Sequence, residues 1–182
     1  MLNTFVVYVE NKPGVLNRVA SLFRRRAFNI ESLTVGHTEK PGTSRMTITV
    51  DADQFQAQRV EAYLYKIVNV LQVQNVTAAP SVFRELAMIK VAAGADARTH
   101  LMQLALVFRA RVVDVAPESV VIEITGTEDK IDGLLEVLRP YGVLEVVRTG
   151  RVAMARGSKC VAAMASAPAI FDEPDAMTTY SV

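Results

Sequence analysis

The sequence predicts an α+β chain built from two small modules, each running β-α-β-β-α-β. Three observations carry this reading. Stretches of alternating β-branched and aromatic residues interleave with stretches whose apolar residues recur at helical spacing. The same order appears twice, on either side of the short linker Thr77-Ala78-Ala79-Pro80-Ser81. The segment from Phe23 to Ile30 is echoed by the segment from Phe108 to Val115, each carrying a basic helix end into an apolar strand.

The first module opens with a strand over residues 3–9, broken by Glu10-Asn11-Lys12-Pro13-Gly14. Val15, Val19, Leu22 and Phe23 then mark one face of a helix that should end near Ala27. Ile30, Leu33 and Val35 suggest a second strand, His37 to Gly42 a turn, and Met46, Ile48 and Val50 a third strand. A second helix is expected to present Val60, Leu64, Ile67 and Val68 on one face, and residues 71–76 close the module as a strand. In the second module Leu86, Met88 and Val91 mark a strand, and Leu101, Leu104, Ala105 and Phe108 a helix face. Strands at 112–115 and 120–124 follow, then a helix carrying Ile131, Leu134, Leu135 and Leu138 with Thr127 as its expected cap, then a strand at 143–147. A repeat of about eighty residues is too long for a solenoid unit. It fits two ferredoxin-like modules, each a four-stranded antiparallel sheet with two helices on one face. The boundaries are 1–77, 82–157, with Gly150 to Gly157 expected to pack as an extension, and a tail of 158–182.

Each module is small for a self-sufficient core, and one face of its sheet has no helix to cover it. Phe5, Val7 and Val9 lie on one face of the first strand, Thr4, Val6 and Tyr8 on the other, and neither set is strongly polar. The uncovered face or edge should therefore pair with the other module or with a second chain, which predicts a homodimer.

Composition excludes more than it selects. The net charge is +1, so neither a nucleic-acid nor a membrane partner is indicated. No apolar run reaches bilayer-spanning length. The N-terminus has no basic region followed by an apolar stretch, so a soluble, cytoplasmic protein is expected. Cys160 is the only cysteine and reads as an inert surface thiol. His37 and His100 have no companion at metal-ligand spacing, and no serine sits in an activating motif. There is no phosphate-binding loop and no dinucleotide fingerprint. A catalytic centre, a metal site or a resident cofactor is not expected on this chain. Arg24-Arg25-Arg26 at a helix C-terminus suits the helix dipole and reads as a solvated face.

The informative segments are polar and local. In Asn11-Lys12-Pro13-Gly14-Val15-Leu16, the free amides of a helix start can hold a carboxylate, Gly14 permits close approach, and Pro13 suits a first helical turn. Asn11 would otherwise simply cap the helix. Asn29, between Phe28 and Ile30, offers a donor and an acceptor to an α-amino acid, or satisfies a local turn.

The run Asn11 to Val19 resembles the ACT domain family, whose members bind amino acids as allosteric effectors. The runs Phe28 to Val35 and Ser44 to Ile48 look more specifically like the small regulatory subunit of acetolactate synthase. The likeness continues through Phe108 to Val115, Glu123 to Thr127, Arg148-Thr149-Gly150 and Ala155-Arg156-Gly157, and so covers residues 1 to about 160. The resemblance implies a non-catalytic homodimer. It would bind a catalytic subunit carrying thiamine diphosphate, magnesium and FAD, activate it, and confer feedback inhibition by a branched-chain amino acid, typically valine. It implies effector contacts from Asn11, Gly14, Val15 and Leu16 of one chain, from Asn29 and Ile30 of the other, and from His37 near the effector side chain. Residues 158–182 exceed the family pattern. The main rival is a free-standing ACT-repeat sensor with another partner. A small enzyme using His37 or His100, and a purely structural dimerisation module, are further rivals.

Overall fold

The computed structural model describes residues 1–157, and the tail expected at 158–182, with Cys160, lies outside the described residues. The first module comprises β1 (Leu2–Glu10), α1 (Val15–Arg25), β2 (Ile30–His37), β3 (Thr43–Asp51), α2 (Gln54–Tyr65) and β4 (Val70–Asn75). The second comprises β5 (Ser81–Ala92), α3 (Ala95–Val107), β6 (Arg111–Val115), β7 (Ser119–Gly126), α4 (Glu128–Leu138) and β8 (Val143–Arg148), followed by a short β9 (Val152–Ala155). The sheets are antiparallel, ordered β2-β3-β1-β4 and β6-β7-β5-β8, so both modules have the expected ferredoxin-like topology.

The alternation in β1 divides as expected. Phe5, Val7 and Val9 pack beneath the helices with Val15, Val19, Phe23, Val60 and Leu64. The second core repeats this with Ala87, Ile89 and Val91 of β5 against Leu101, Ala105, Ile131, Leu134 and Leu138.

Helix ends follow local chemistry. α1 stops because Ala27 turns left-handed (φ 56°), so that Ala27 N–H donates to Arg24 O at 3.2 Å and Phe28 N–H to Phe23 O at 3.0 Å. That is a Schellman closure, and its apolar contact is the edge-on pair Phe23–Phe28, ring centroids 6.4 Å apart. α3 closes the same way: Arg109 has φ 52°, and Ala110 N–H donates to Ala105 O at 2.8 Å. Ala27 thus corresponds to Arg109. The sequence echo, which set Phe23 beside Phe108, is out of step: Phe23 is in a helix and Phe108 is the C-cap of one.

Two further expectations are corrected. α2 starts with a capping box between Asp53 and Gln56 but ends at Tyr65, so Ile67 and Val68 are not on its face. Ile67 still packs on the core from the following turn, whereas Val68 is 92% exposed. Two consecutive β-branched residues give the helix little reason to continue, and Asn69 is drawn back to β1, its carbonyl accepting from Glu10 N–H at 2.9 Å. Thr127 occupies the N-cap of α4, but its side chain makes no capping hydrogen bond.

The helix-free face of the first sheet is covered from within the chain. β5 is twelve residues long. Its first part, Ser81 to Arg84, pairs with β9, and its remainder, from Glu85, pairs with β7 in the second sheet. The β5–β9 ribbon lays Phe83, Ala153 and Ala155 on Val6, Tyr8 and Val76. Arg45 of β3 donates to Ala153 O, fixing the ribbon to the sheet. Glu85, at the point where β5 changes partner, is 5% exposed. It is held by Arg148, whose Nε and Nη2 donate to its two oxygens at 2.8 and 2.7 Å, while Nη1 reaches Asp132 at 2.7 Å. These hydrogen bonds to Glu85 first, and to Asp132 next, raise the guanidinium pKa against the lowering effect of burial.

The segment between β8 and β9 crosses β2. Thr34 Oγ1 donates to Thr149 O at 3.1 Å, and a Cβ added to Gly150 would fall 2.5 Å from Ser32 Cβ. Gly150 also has φ 77°. Gly150→Ala is expected to destabilise the chain by about 1–3 kcal/mol through overpacking and backbone strain, measured by urea unfolding. Ser32→Gly in the same chain should recover the overpacking part. Arg148→Met strands a buried carboxylate. It should cost about 2–3 kcal/mol, below the range for a fully enclosed pair because Arg148 is partly exposed. Glu85→Gln added to Arg148→Met should restore part of that loss in the same assay.

Candidate effector site

The segment between β1 and α1 is a built turn. Val15 N–H donates to Lys12 O at 3.3 Å across Pro13 and Gly14, and Gly14 has φ 82° and ψ −7°, the third position of a type II turn. Pro13 therefore serves the turn, outside the helix, and Gly14 is the N-cap. Asn11 does not cap α1, which has no side-chain cap. Its backbone N–H donates to Gly42 O at 2.8 Å, and its side-chain amide lies 3.5 Å from His37 Nδ1.

Of the amides at this helix start, Val15 N–H is used by the turn, and the first helical bond comes from Arg18 N–H to Gly14 O at 3.0 Å. The amides of Gly14, Leu16 and Asn17 have no backbone acceptor among the described residues. Val15 has its side chain in the core, while Leu16 is 44% exposed beside those amides. No atom lies within 4 Å of a Cβ built on Gly14, so the approach to the turn is open.

A polar network that sequence reasoning missed braces this turn. Asn69 is 8% exposed. It accepts from Arg18 and donates to Glu10 Oε2 at 2.5 Å, and Lys12 Nζ lies 3.0 Å from the same oxygen. The Asn69 amide, then Lys12, holds the Glu10 carboxyl below its ordinary pKa. The only signal in the sequence was Arg18 one helical turn beyond Gly14; nothing local ties Asn69 to Glu10, fifty-nine residues away.

The other expected residues are not beside this turn. Asn29 donates to Glu31 Oε1 at 2.5 Å just before β2, and Ile30 packs against the core. His37 is at the far end of β2, so seven residue steps separate Ile30 from His37, roughly 23 Å at about 3.3 Å each. One chain thus brings together Asn11, Gly14, Leu16 and His37 but leaves Asn29 and Ile30 apart. β2 is an edge strand with Val35, Gly36 and His37 exposed. His100 is exposed on α3 in the other module.

Two family models match: an AHAS small subunit-like ACT domain over residues 5–72 and the small subunit of acetolactate synthase over 84–157. The chain belongs to the acetolactate synthase small-subunit family. It is 50% identical over 159 residues to a probable acetolactate synthase small subunit of Archaeoglobus fulgidus, covering 87% of this chain and 99% of that one. It is 47% identical over 161 residues to the acetolactate synthase small subunit of Mycolicibacterium smegmatis, covering 88% and 95%. The crystal structure of the acetolactate synthase small subunit from Thermotoga maritima is similar at a TM-score of 0.81 and 40% identity, covering 87% of this chain and 99% of that one. The family role is that of a regulatory subunit with an ACT domain. Among the described residues no cluster of His, Cys, Asp or Glu could hold a metal ion, and no helix is long and apolar enough to cross a membrane.

Because its pKa is lowered in the folded chain, Glu10 stabilises the turn above the unfolded carboxyl pKa, and this contribution is lost as pH falls through the folded value. Asn69→Ala should move the Glu10 carboxyl back toward 4.5, as followed by NMR titration of its side-chain carbon.

Proposed function

We propose that this chain activates an acetolactate synthase catalytic subunit and makes it inhibitable by a branched-chain amino acid, valine foremost. Thiamine diphosphate, magnesium and FAD are assigned to that catalytic subunit, and no residue of this chain is assigned to them. The observation that carries the effector reading is the cluster of unpartnered amides at Gly14, Leu16 and Asn17, at the positive end of α1 and beside an exposed leucine. Backbone N–H groups there suit a carboxylate, and the helix dipole adds to the attraction. Leu16 and Val35, each 44% exposed, suit a short branched side chain. Asn11 and His37 border the same opening. Val15 contributes its place in the turn rather than an amide.

The separation of Asn29 and Ile30 from this cluster is the argument for a homodimer. If two β2 strands pair antiparallel about a two-fold axis, the start of one lies against the end of the other. Asn29 and Ile30 of the second copy then face His37, Asn11 and Gly14 of the first. Such pairing would also satisfy the open edge of β2. Each dimer would hold two equivalent effector sites. The contact of Thr149 and Gly150 with Thr34 and Ser32 joins β2 directly to the second module, giving effector occupancy a physical route to it.

Calorimetric titration with valine, leucine and isoleucine tests this reading. Saturable valine binding is expected, at one site per chain, and is lost in Asn29→Ala. Gly14→Asp should also abolish binding, by placing a like charge at the carboxylate position. It should keep the fold at a cost of about 1–2 kcal/mol for a side chain in a left-handed turn. Reconstitution with the catalytic subunit should show activation by both variants but valine inhibition only with the unaltered chain. A folded dimer that binds none of the three amino acids, alone or in the complex, removes the effector site from this account.

A further inference from the structure

Five cations gather on the outer side of the first module's helix layer, and none forms an ion pair among the described residues: Arg24 and Arg25 in the last turn of α1, Arg26 at its C-cap, and Arg59 and Lys66 on and after α2. Three of them converge on one ring. Arg26 Cζ lies 4.3 Å from the centroid of Tyr63, Arg59 Cζ 5.9 Å and Lys66 Nζ 5.8 Å. Arg59 also donates to Tyr63 Oη at 3.1 Å and lies 5.5 Å from the ring of Phe55, which is 66% exposed. The tyrosine hydroxyl has its pKa lowered, chiefly by the Arg59 hydrogen bond and further by the charges of Arg26, Arg59 and Lys66.

The nearby negative charge does not balance this group. The C-termini of α1 and α2 supply roughly half a charge each. Glu61, the carboxylate within α2, has its pKa raised by burial, with no cation acting on it. Like charges held together without an anion are a cost to the isolated chain and a source of affinity for an anionic partner. Arginine and exposed aromatic rings are also the side chains that dominate protein interfaces. The chain as a whole is nearly neutral, which suits local recognition of a protein surface better than a nucleic-acid backbone.

We propose that this basic and aromatic face of α1 and α2 docks a carboxylate-rich surface of the catalytic subunit. The proposal rests on the functional reading above for the identity of the partner. The face lies on the helices, whereas the proposed dimer contact uses the β2 edge, so docking and dimerisation do not compete.

The test uses the full chain and the purified catalytic subunit. Their affinity is measured by interferometry at low and high salt, with valine calorimetry on each variant to report the fold and effector site. Arg26→Glu/Arg59→Glu is expected to weaken the complex at least about tenfold at low salt and to flatten its salt dependence. Valine binding should be unchanged. Arg26→Gln/Arg59→Gln should give a smaller loss in the same direction and serves if the reversed variant fails to fold. Arg84→Glu/Arg111→Glu, the same charge change placed on the second module, should leave affinity within about twofold. The proposal is overturned if Arg26→Glu/Arg59→Glu binds like the unaltered chain, or if both reversals weaken binding equally. Retention of the unaltered chain by an oligonucleotide, lost in Arg26→Glu/Arg59→Glu while the catalytic subunit still binds, also overturns it. If the unaltered chain neither binds nor activates the catalytic subunit, the functional reading itself falls.

Discussion

A four-stranded sheet with helices on one side must bury its other side, and this chain does so with its own continuation. Val6 and Val76 are fully buried only because Phe83, Ala153 and Ala155 lie across them. The cover is not a separate element. It is the first third of β5, the strand that then becomes the centre of the second sheet. Two modules joined this way cannot drift apart as beads on a linker would, because separation would expose the first sheet and break the Arg45–Ala153 hydrogen bond together.

That sharing sets the electrostatics of the joint. Where β5 passes from ribbon to sheet, the buried Glu85 is clamped by Arg148 from β8, the strand that leads into β9. A cleft of about 440 Å³ opens beside this pair, lined from the first module by Ser32, Leu33 and Thr49. The hydroxyls of Ser32 and Thr49 are buried there without a partner among the described residues. Separating the buried pair would strand a charge, whereas the unpaired hydroxyls have no hydrogen bond to lose. β2 meets the second module directly, through Thr34 with Thr149 and Ser32 with Gly150.

The proposed site depends on the same economy of elements. The turn before α1 is fixed by backbone geometry at Pro13 and Gly14, and from beneath by Glu10, Asn69 and Arg18. It leaves its amides unused because the side chain able to cap them, Asn11, is turned toward His37. The other half of the expected site lies at the opposite end of an open-edged strand. In the proposed dimer a second copy closes that distance. An effector bound there would be a dimer ligand, and its differential affinity for two dimer arrangements is what could carry regulation.

The local content of this protein was legible in its sequence. Periodicity gave the element order in both modules, the alternation of β1 gave the two sheet faces, and Lys12-Pro13-Gly14 announced the start of a helix. These features depend on residues a few positions apart. Where the reading slipped, a partner distant in the chain decided. Asn69 ends the turn after α2 because β1 holds it, so Ile67 and Val68 leave the helix. Asn11 forgoes capping because Gly42 and His37 lie beside it. The helix-free face is covered by β9, seventy-seven residues beyond Val76 at Ala153, and Gly150 is small because Ser32 lies against it. Tyr63 gathers Arg26 from the end of α1. Spacing along the chain fixes helices, strands and turns, because their hydrogen bonds close within a few residues. Which buried surfaces meet, and which charges are left unpaired, depends on contacts that exist only once the chain has folded.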